Sequence, residues 1–231
     1  MREIDFKVAA LGKSYGYDGG SPGSAGSPSI WLFGLEPGSP VAPQPDEDQV
    51  AEYSVATQLR WPYNVAAFKL LTAIAGEELE KFEIFAHERR IFERDSPGYF
   101  KGNLFPYPCY SLETWSEDAR RVTGFSSKNE YKKWCREHRY AVIRDWLAEC
   151  KPRIFIGVGI SHRKDFASVV LGPGKELVRT VLHIDEKDCP VYYGCQQDRF
   201  VFVVPHFTNR FRRPSDNVLR AVGSFISKSS K

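Results

Sequence analysis

Arg153-Ile154-Phe155-Ile156-Gly157-Val158-Gly159 carries no polar side chain after its first residue, and it follows a stretch of helical spacing over residues 127–150 that ends with Trp146 and Leu147 on the apolar face. A strand with one wet face alternates polar and apolar side chains, whereas a run apolar throughout has no face to give to water. A helix leading into such a strand is the pattern of a parallel sheet covered by helices on both sides. Outward from this run, residues 30–33 and 200–204 read as further apolar strands, 177–184 as another and 100–105 as a short one. Helical patterns cover residues 46–59, 64–75 (apolar at Val65, Phe68, Leu71 and Ala75), 77–94, 162–171 and 214–226, with Trp61-Pro62-Tyr63 as the joint between the first two. Residues 12–29 are rich in Gly, Ser and Pro without hydrophobic periodicity and predict a flexible surface loop. With no internal repeat and no composition break, the whole of 1–231 is expected to form one α/β domain.

The bulk properties exclude more than they assign. A chain of 231 residues with 42% hydrophobic residues can bury a real core, and a net charge of +3 is too small to signal a nucleic-acid partner by itself. Much of the positive excess lies late in the chain, in Arg210, Arg212, Arg213, Arg220, Lys228 and Lys231. The five cysteines show neither a Cys-x-x-Cys pair nor metal-ligand spacing with His, so free thiols in a reducing compartment are expected. No stretch is apolar for long enough to span a bilayer and no secretory pattern opens the chain, which predicts a soluble cytoplasmic protein, nucleoid-associated if bacterial. Gly12-Lys13-Ser14 lacks the earlier glycine of a phosphate loop and is not read as one.

Three polar residues stand where apolar strands end: Glu36 in Phe33-Gly34-Leu35-Glu36-Pro37-Gly38, Asn103 in Gly102-Asn103-Leu104-Phe105-Pro106, and His206 in Pro205-His206-Phe207-Thr208-Asn209-Arg210. Parallel strands open their carboxyl ends on one edge, where residues distant in sequence can line a single pocket. Pro37 fixes its own φ and the flanking glycines allow a close approach, so Glu36 sits on a restricted turn.

Gly34-Leu35-Glu36-Pro37-Gly38 resembles the first motif of the uracil-DNA glycosylase superfamily, and the segment from Pro205 to Arg210 resembles its second. Pro62-Tyr63 before a helix is similar to the family's aromatic after proline, and Asn103 to its base-reading asparagine. The resemblance spans roughly residues 30–226. It implies a three-layer α/β sandwich with a central, mainly parallel four-stranded sheet flanked by helices, and a monofunctional, metal-free and cofactor-free DNA glycosylase acting as a monomer. In the implied roles Glu36 orients water and stabilises the sugar cation, and His206 donates a hydrogen bond to the departing base. Tyr63 stacks on the extruded base, Asn103 reads its edge with Leu35 nearby, and Arg210, Phe211, Arg212 and Arg213 fill the vacated stack and grip phosphates. The second motif departs from the family's His-Pro-Ser by carrying Phe207 and Thr208, and the glutamate replaces the usual Asp or Asn, so uracil is only the default base. No iron-sulfur cysteine spacing is present.

Each residue also has a plain structural reading: Glu36 as a solvated turn residue, Asn103 as a strand-end cap, Tyr63 as core, the arginines as a solvated face. A non-catalytic module that kept the fold and binds nucleic acid or protein is the alternative function, and a pocket for a free nucleoside between residues 12–29 and 99–110 is a third. His87, His138, His162 and His183 show no mutual spacing for a metal and read as structural.

Overall fold

The computed structural model describes residues 3–13, 15–38, 53–109, 114–208 and 214–230. Helix α1 (Glu3–Ala10) is followed by strand β1 (Tyr17–Gly20), the hairpin β2 (Gly23–Ser24) and β3 (Ser27–Pro28), and strand β4 (Ile30–Gly34). Helices α2 (Val55–Gln58), α3 (Pro62–Ala75) and α4 (Phe82–Arg89) lead to β5 (Tyr99–Asn103). Helices α5 (Glu117–Thr123), α6 (Lys128–Trp134) and α7 (Tyr140–Cys150) precede β6 (Ile154–Val158), and α8 (Arg163–Val170) follows it. Strands β7 (Val178–Ile184), β8 (Lys187–Gln196) and β9 (Arg199–Val204) and helix α9 (Asp216–Ser229) complete the order.

One sheet of seven strands, in the order β1-β5-β4-β6-β9-β8-β7, forms the middle layer. Its centre, β5-β4-β6-β9, is parallel, while β1 pairs antiparallel with β5 and the β8–β7 pair continues antiparallel from β9. The expected α/β class with helices on both faces is present, and the sheet is mixed and wider than the four strands the resemblance implies. The missing signal is understandable: β8 contains Pro190 and Gly194 and is charged at its start, features that demote a strand on sequence grounds.

The apolar run over β6 is buried at all five positions because each face meets its own core. Ile154, Ile156 and Val158 join Leu32, Phe202 and Val204 against α3, α4 and α9, whereas Phe155 joins Trp31, Phe33, Val201 and Val203 against α1, α7 and α8. Helix α3 starts with Pro62 at its first turn, where the missing N–H costs nothing, and ends at Gly76 in the left-handed region (φ 81°). Helix α9 starts at Ser215, whose hydroxyl accepts from the Val218 N–H. Helices α6 and α7 form one rod through a π turn at Cys135–Arg139.

Residues 12–29 are not the structureless loop their composition predicts. Tyr17–Gly20 pairs with β5, and the buried Arg139 guanidinium donates to the carbonyls of Ala10, Gly12 and Tyr15. Backbone pairing and carbonyl acceptors are open to any residue type, so hydrophobic periodicity does not reveal them. The helix read over 46–59 is described only in its last part, as α2, since residues 39–52 lie outside the described set.

Helix α9 packs on α3 at Gly223, where an added Cβ would stand 2.4 Å from Ala73 Cβ. Gly223→Ala therefore overpacks this crossing by more than the ~1 kcal/mol that alanine gains in helix propensity, and a net destabilisation of about 1–2 kcal/mol is expected. A urea midpoint equal to that of the wild type would contradict this packing.

Candidate active site at the carboxyl ends of the parallel strands

Beyond the sheet, the loops after β4 and β5 stay side by side. Leu104 N–H donates to the Gly34 carbonyl (3.2 Å), Phe105 N–H to that of Leu35 (2.9 Å), and Gly38 forms an isolated parallel bridge with Cys109. On the other flank the Gly159 N–H donates to the Val204 carbonyl at 2.8 Å. The glutamate turn is thus laced to its neighbour by backbone bonds, as its Pro and Gly content suggested.

Register brings the first group of side chains together. Gly34 pairs with Asn103 and Leu32 with Lys101, which places Asn103, Lys101 and the Gly34 Cα on the face covered by α3. A Cβ at Gly34 would lie 2.7 Å from Asn103 Oδ1 and 3.2 Å from the Tyr63 hydroxyl, so no larger residue fits without moving one of them. Asn103 is 3% exposed, and its Nδ2 donates to the Gly16 carbonyl (3.4 Å), which leaves Oδ1 as the atom facing the strand end. The Tyr63 hydroxyl is buried and has no hydrogen-bond partner among the described residues. Burial holds the phenol well above its usual pKa, so the O–H stays protonated.

His206 follows β9 and reaches the same corner, its ring centroid 6.1 Å from that of Tyr63, with Phe207 at 5.2 Å from the same ring. The Thr208 backbone N–H donates to His206 Nδ1 (3.2 Å). A backbone N–H can only donate, so Nδ1 is an acceptor and the proton of the neutral ring sits on Nε2. Burial lowers the His206 pKa below the ordinary histidine value, which favours this neutral form.

Glu36 turns toward the opposite layer. Its Oε2 accepts from Lys128 Nζ at 2.8 Å, Lys132 Nζ stands 3.7 Å from Oε1, and the carboxylate side chain is only 4% exposed. Both lysines come from one face of α6, four residues apart. Burial, with Lys128 and Arg136 alongside, draws the Lys132 ammonium below the usual lysine pKa against the pull of Glu36. The structure therefore brings Tyr63 and Asn103 together over Gly34, sets His206 against the Tyr63 ring, and places Glu36 two residues along the same loop in an ion pair that the sequence reading did not anticipate. The i, i+4 spacing of Lys128 and Lys132 was the available signal.

Leu35 packs in the second core, beside Gly159, rather than against Tyr63 and Asn103. Arg210, Phe211, Arg212 and Arg213 lie outside the described residues. His162, expected to be structural, binds Asp165 through Nδ1 at 2.8 Å. Burial by itself would raise the Asp165 carboxyl, but His162 and Arg136 hold it well below the usual carboxylate range. A groove of about 280 Å³ between α3 and the start of α9 shares Phe207 with the site but holds none of its polar side chains. Among the described residues no cluster of His, Cys, Asp and Glu could hold a metal ion, and no helix is long and apolar enough to cross a membrane.

A scan against protein-family models matches no family, and a search of curated proteins finds no relative of this chain. The resemblance drawn above rests on the motifs themselves.

Removing one member of a buried ion pair strands the other charge. Lys128→Ala is expected to cost about 3 kcal/mol, at the lower end for such pairs because Lys132 remains close, and pairing it with Glu36→Gln should recover most of the loss. Chemical denaturation of the single and double variants checks this. Additive losses would mean the pair contributes nothing.

Proposed function

We propose that this chain is a DNA glycosylase that hydrolyses the N-glycosidic bond of an extruded, deaminated or modified base, with uracil as the default substrate. The observation that carries the reading is Tyr63 at the carboxyl ends of the parallel strands, with its hydroxyl close to Asn103 over Gly34 and its ring 6.1 Å from that of a neutral, Nε2-protonated His206. Water adds to C1′ as the C1′–N bond breaks and its electron pair leaves with the base, so the site must meet negative charge on the base and positive charge on the sugar. His206 donates its Nε2–H to the base oxygen on which charge develops. Glu36 orients the water, accepts its proton and faces the sugar cation. Each contact of this kind is typically worth roughly 3 to 4 kcal/mol of barrier, about a hundredfold or more in rate. Asn103, the Tyr63 hydroxyl and the Glu36 carboxylate lie beneath the surface, and Glu36 faces the α6 layer, so catalysis requires that it leave Lys128 and turn toward the groups on the α3 side.

A second reading, a non-catalytic module that binds nucleic acid, is favoured by the same Lys128–Glu36 pair, which occupies the carboxylate that hydrolysis needs. Release of free base from oligonucleotides carrying uracil, hypoxanthine, xanthine or bulky modified pyrimidines separates the two. Glu36→Gln and His206→Ala should each slow release about a hundredfold or more. DNA binding without release, indifferent to Glu36→Gln, would establish the module instead.

Burial lowers the His206 pKa below the ordinary histidine value, so the imidazole acts as a neutral donor at pH 7. Base release should therefore hold steady from about pH 6.5 to 8, whereas a reaction needing an imidazolium would fall as pH rises through that window. DNA affinity should drop steeply with salt, and Arg212→Ala should flatten the log–log slope by about one unit.

A further inference from the structure

Lys101 is a buried lysine inside a strand, between Phe100 and Gly102, and nothing in the glycosylase reading uses it. Its ammonium bonds to the Tyr53 hydroxyl (3.0 Å) and Asn64 Oδ1 (3.0 Å), and it pairs with Asp18 Oδ2 at 3.2 Å. An ammonium has three donors, and these three partners account for them. Asn64 Nδ2 closes the circuit with the Tyr53 hydroxyl at 3.4 Å. So fixed, the ammonium lies 5.2 Å from the centroid of the Tyr63 ring, where a cation is attracted to the π-face. Burial by itself would lower the Lys101 pKa, but Asp18 and the surrounding hydroxyls outweigh it and the charge is held.

The Tyr63 ring is thus held between the Lys101 charge and the His206 and Phe207 rings, and its buried hydroxyl lies close to Asn103 Oδ1 over Gly34. Among the described residues this buried O–H has no partner, which is unusual and calls for one. We infer that the Tyr63 hydroxyl, in place of the stacking that the resemblance implies for its ring, is a second reading group beside Asn103: it donates to a base carbonyl while Asn103 Oδ1 accepts from the adjacent ring N–H, and Lys101, anchored by Asp18, is the residue that positions it. The site then selects bases with an –NH–C(=O)– edge, such as uracil, hypoxanthine and xanthine. Cytosine and adenine place a ring-nitrogen lone pair where Asn103 Oδ1 also presents one, and are repelled. The N-terminal segment enters the site through this pair, since Asp18 belongs to β1.

This rests on the glycosylase reading, and two measurements keep their failures apart. The full chain is tested for binding to oligonucleotides bearing a 2′-fluorinated deoxyuridine, which resists hydrolysis, its cytosine counterpart or an abasic analogue, and separately for base release. Wild type should bind the uracil oligonucleotide at least tenfold more tightly than the other two. Tyr63→Phe should lose about tenfold of that preference with abasic affinity unchanged. The charge-neutral double variant Asp18→Asn/Lys101→Met should lose a similar factor and regain little of it with Asp18→Asn/Lys101→Gln. A purely structural Lys101 would lower melting temperature and weaken all three oligonucleotides alike, overturning its positioning role. Base release by a Tyr63→Phe variant with unchanged preference would overturn the reading role while leaving the glycosylase standing. Uracil preference without release would do the reverse, and neither preference nor release defeats both.

Discussion

In-register parallel pairing of β4 with β5 is the constraint from which the site follows. It sets Leu32 beside Lys101 and Gly34 beside Asn103, so that one sheet face presents in succession a buried ammonium, a side-chain amide and a bare Cα. A one-residue slip would send Lys101 and Asn103 into the aromatic core around Trp31, Phe33 and Phe100, where neither has a polar partner. The register is held because both faces are buried, and each would be turned inside out by the slip.

The two layers over the sheet do different work. The α3 side carries Tyr63, Asn103, His206 and the Lys101–Asp18 circuit, polar groups set into an otherwise apolar core. The α6–α8 side carries the Glu36–Lys128–Lys132 cluster and the Asp165–His162–Arg136 cluster, with Phe105 between them, its ring facing Lys132 and Arg136 at 5.3 and 5.8 Å. Buried polar groups of this kind add little net stability compared with well-packed apolar ones, although removing one member of a pair is costly because it strands the other.

Much of this was legible. The apolar runs at β4, β6 and β9 and the helix at α3 come through because burial on two faces, or on one helical stripe, dictates their composition. Asn103 and His206 fell at strand ends for the same reason, and their convergence with Tyr63 follows from parallel topology. What the sequence hid was pairing that side chains do not encode: β1 joins the sheet through its backbone, β8 is a strand despite Pro190, and α1 is tied down by Arg139 through carbonyls. The partners of Glu36 were hidden differently. Spacing shows that Lys128 and Lys132 share a helical face, but which way that face turns depends on the rod that continues into α7.

That orientation is set by the π turn at Cys135–Arg139. Such a turn accommodates one residue more than a regular helix, and each residue advances the spiral by about 100°. With it, α6 aims Lys128 and Lys132 at the glutamate while α7 keeps Tyr140, Ile143 and Leu147 against the sheet. Excising a single residue there would leave a smooth helix whose two halves could not both face their targets, so the bulge works as a phase adjuster that lets an electrostatic clamp and a hydrophobic anchor share one continuous cylinder.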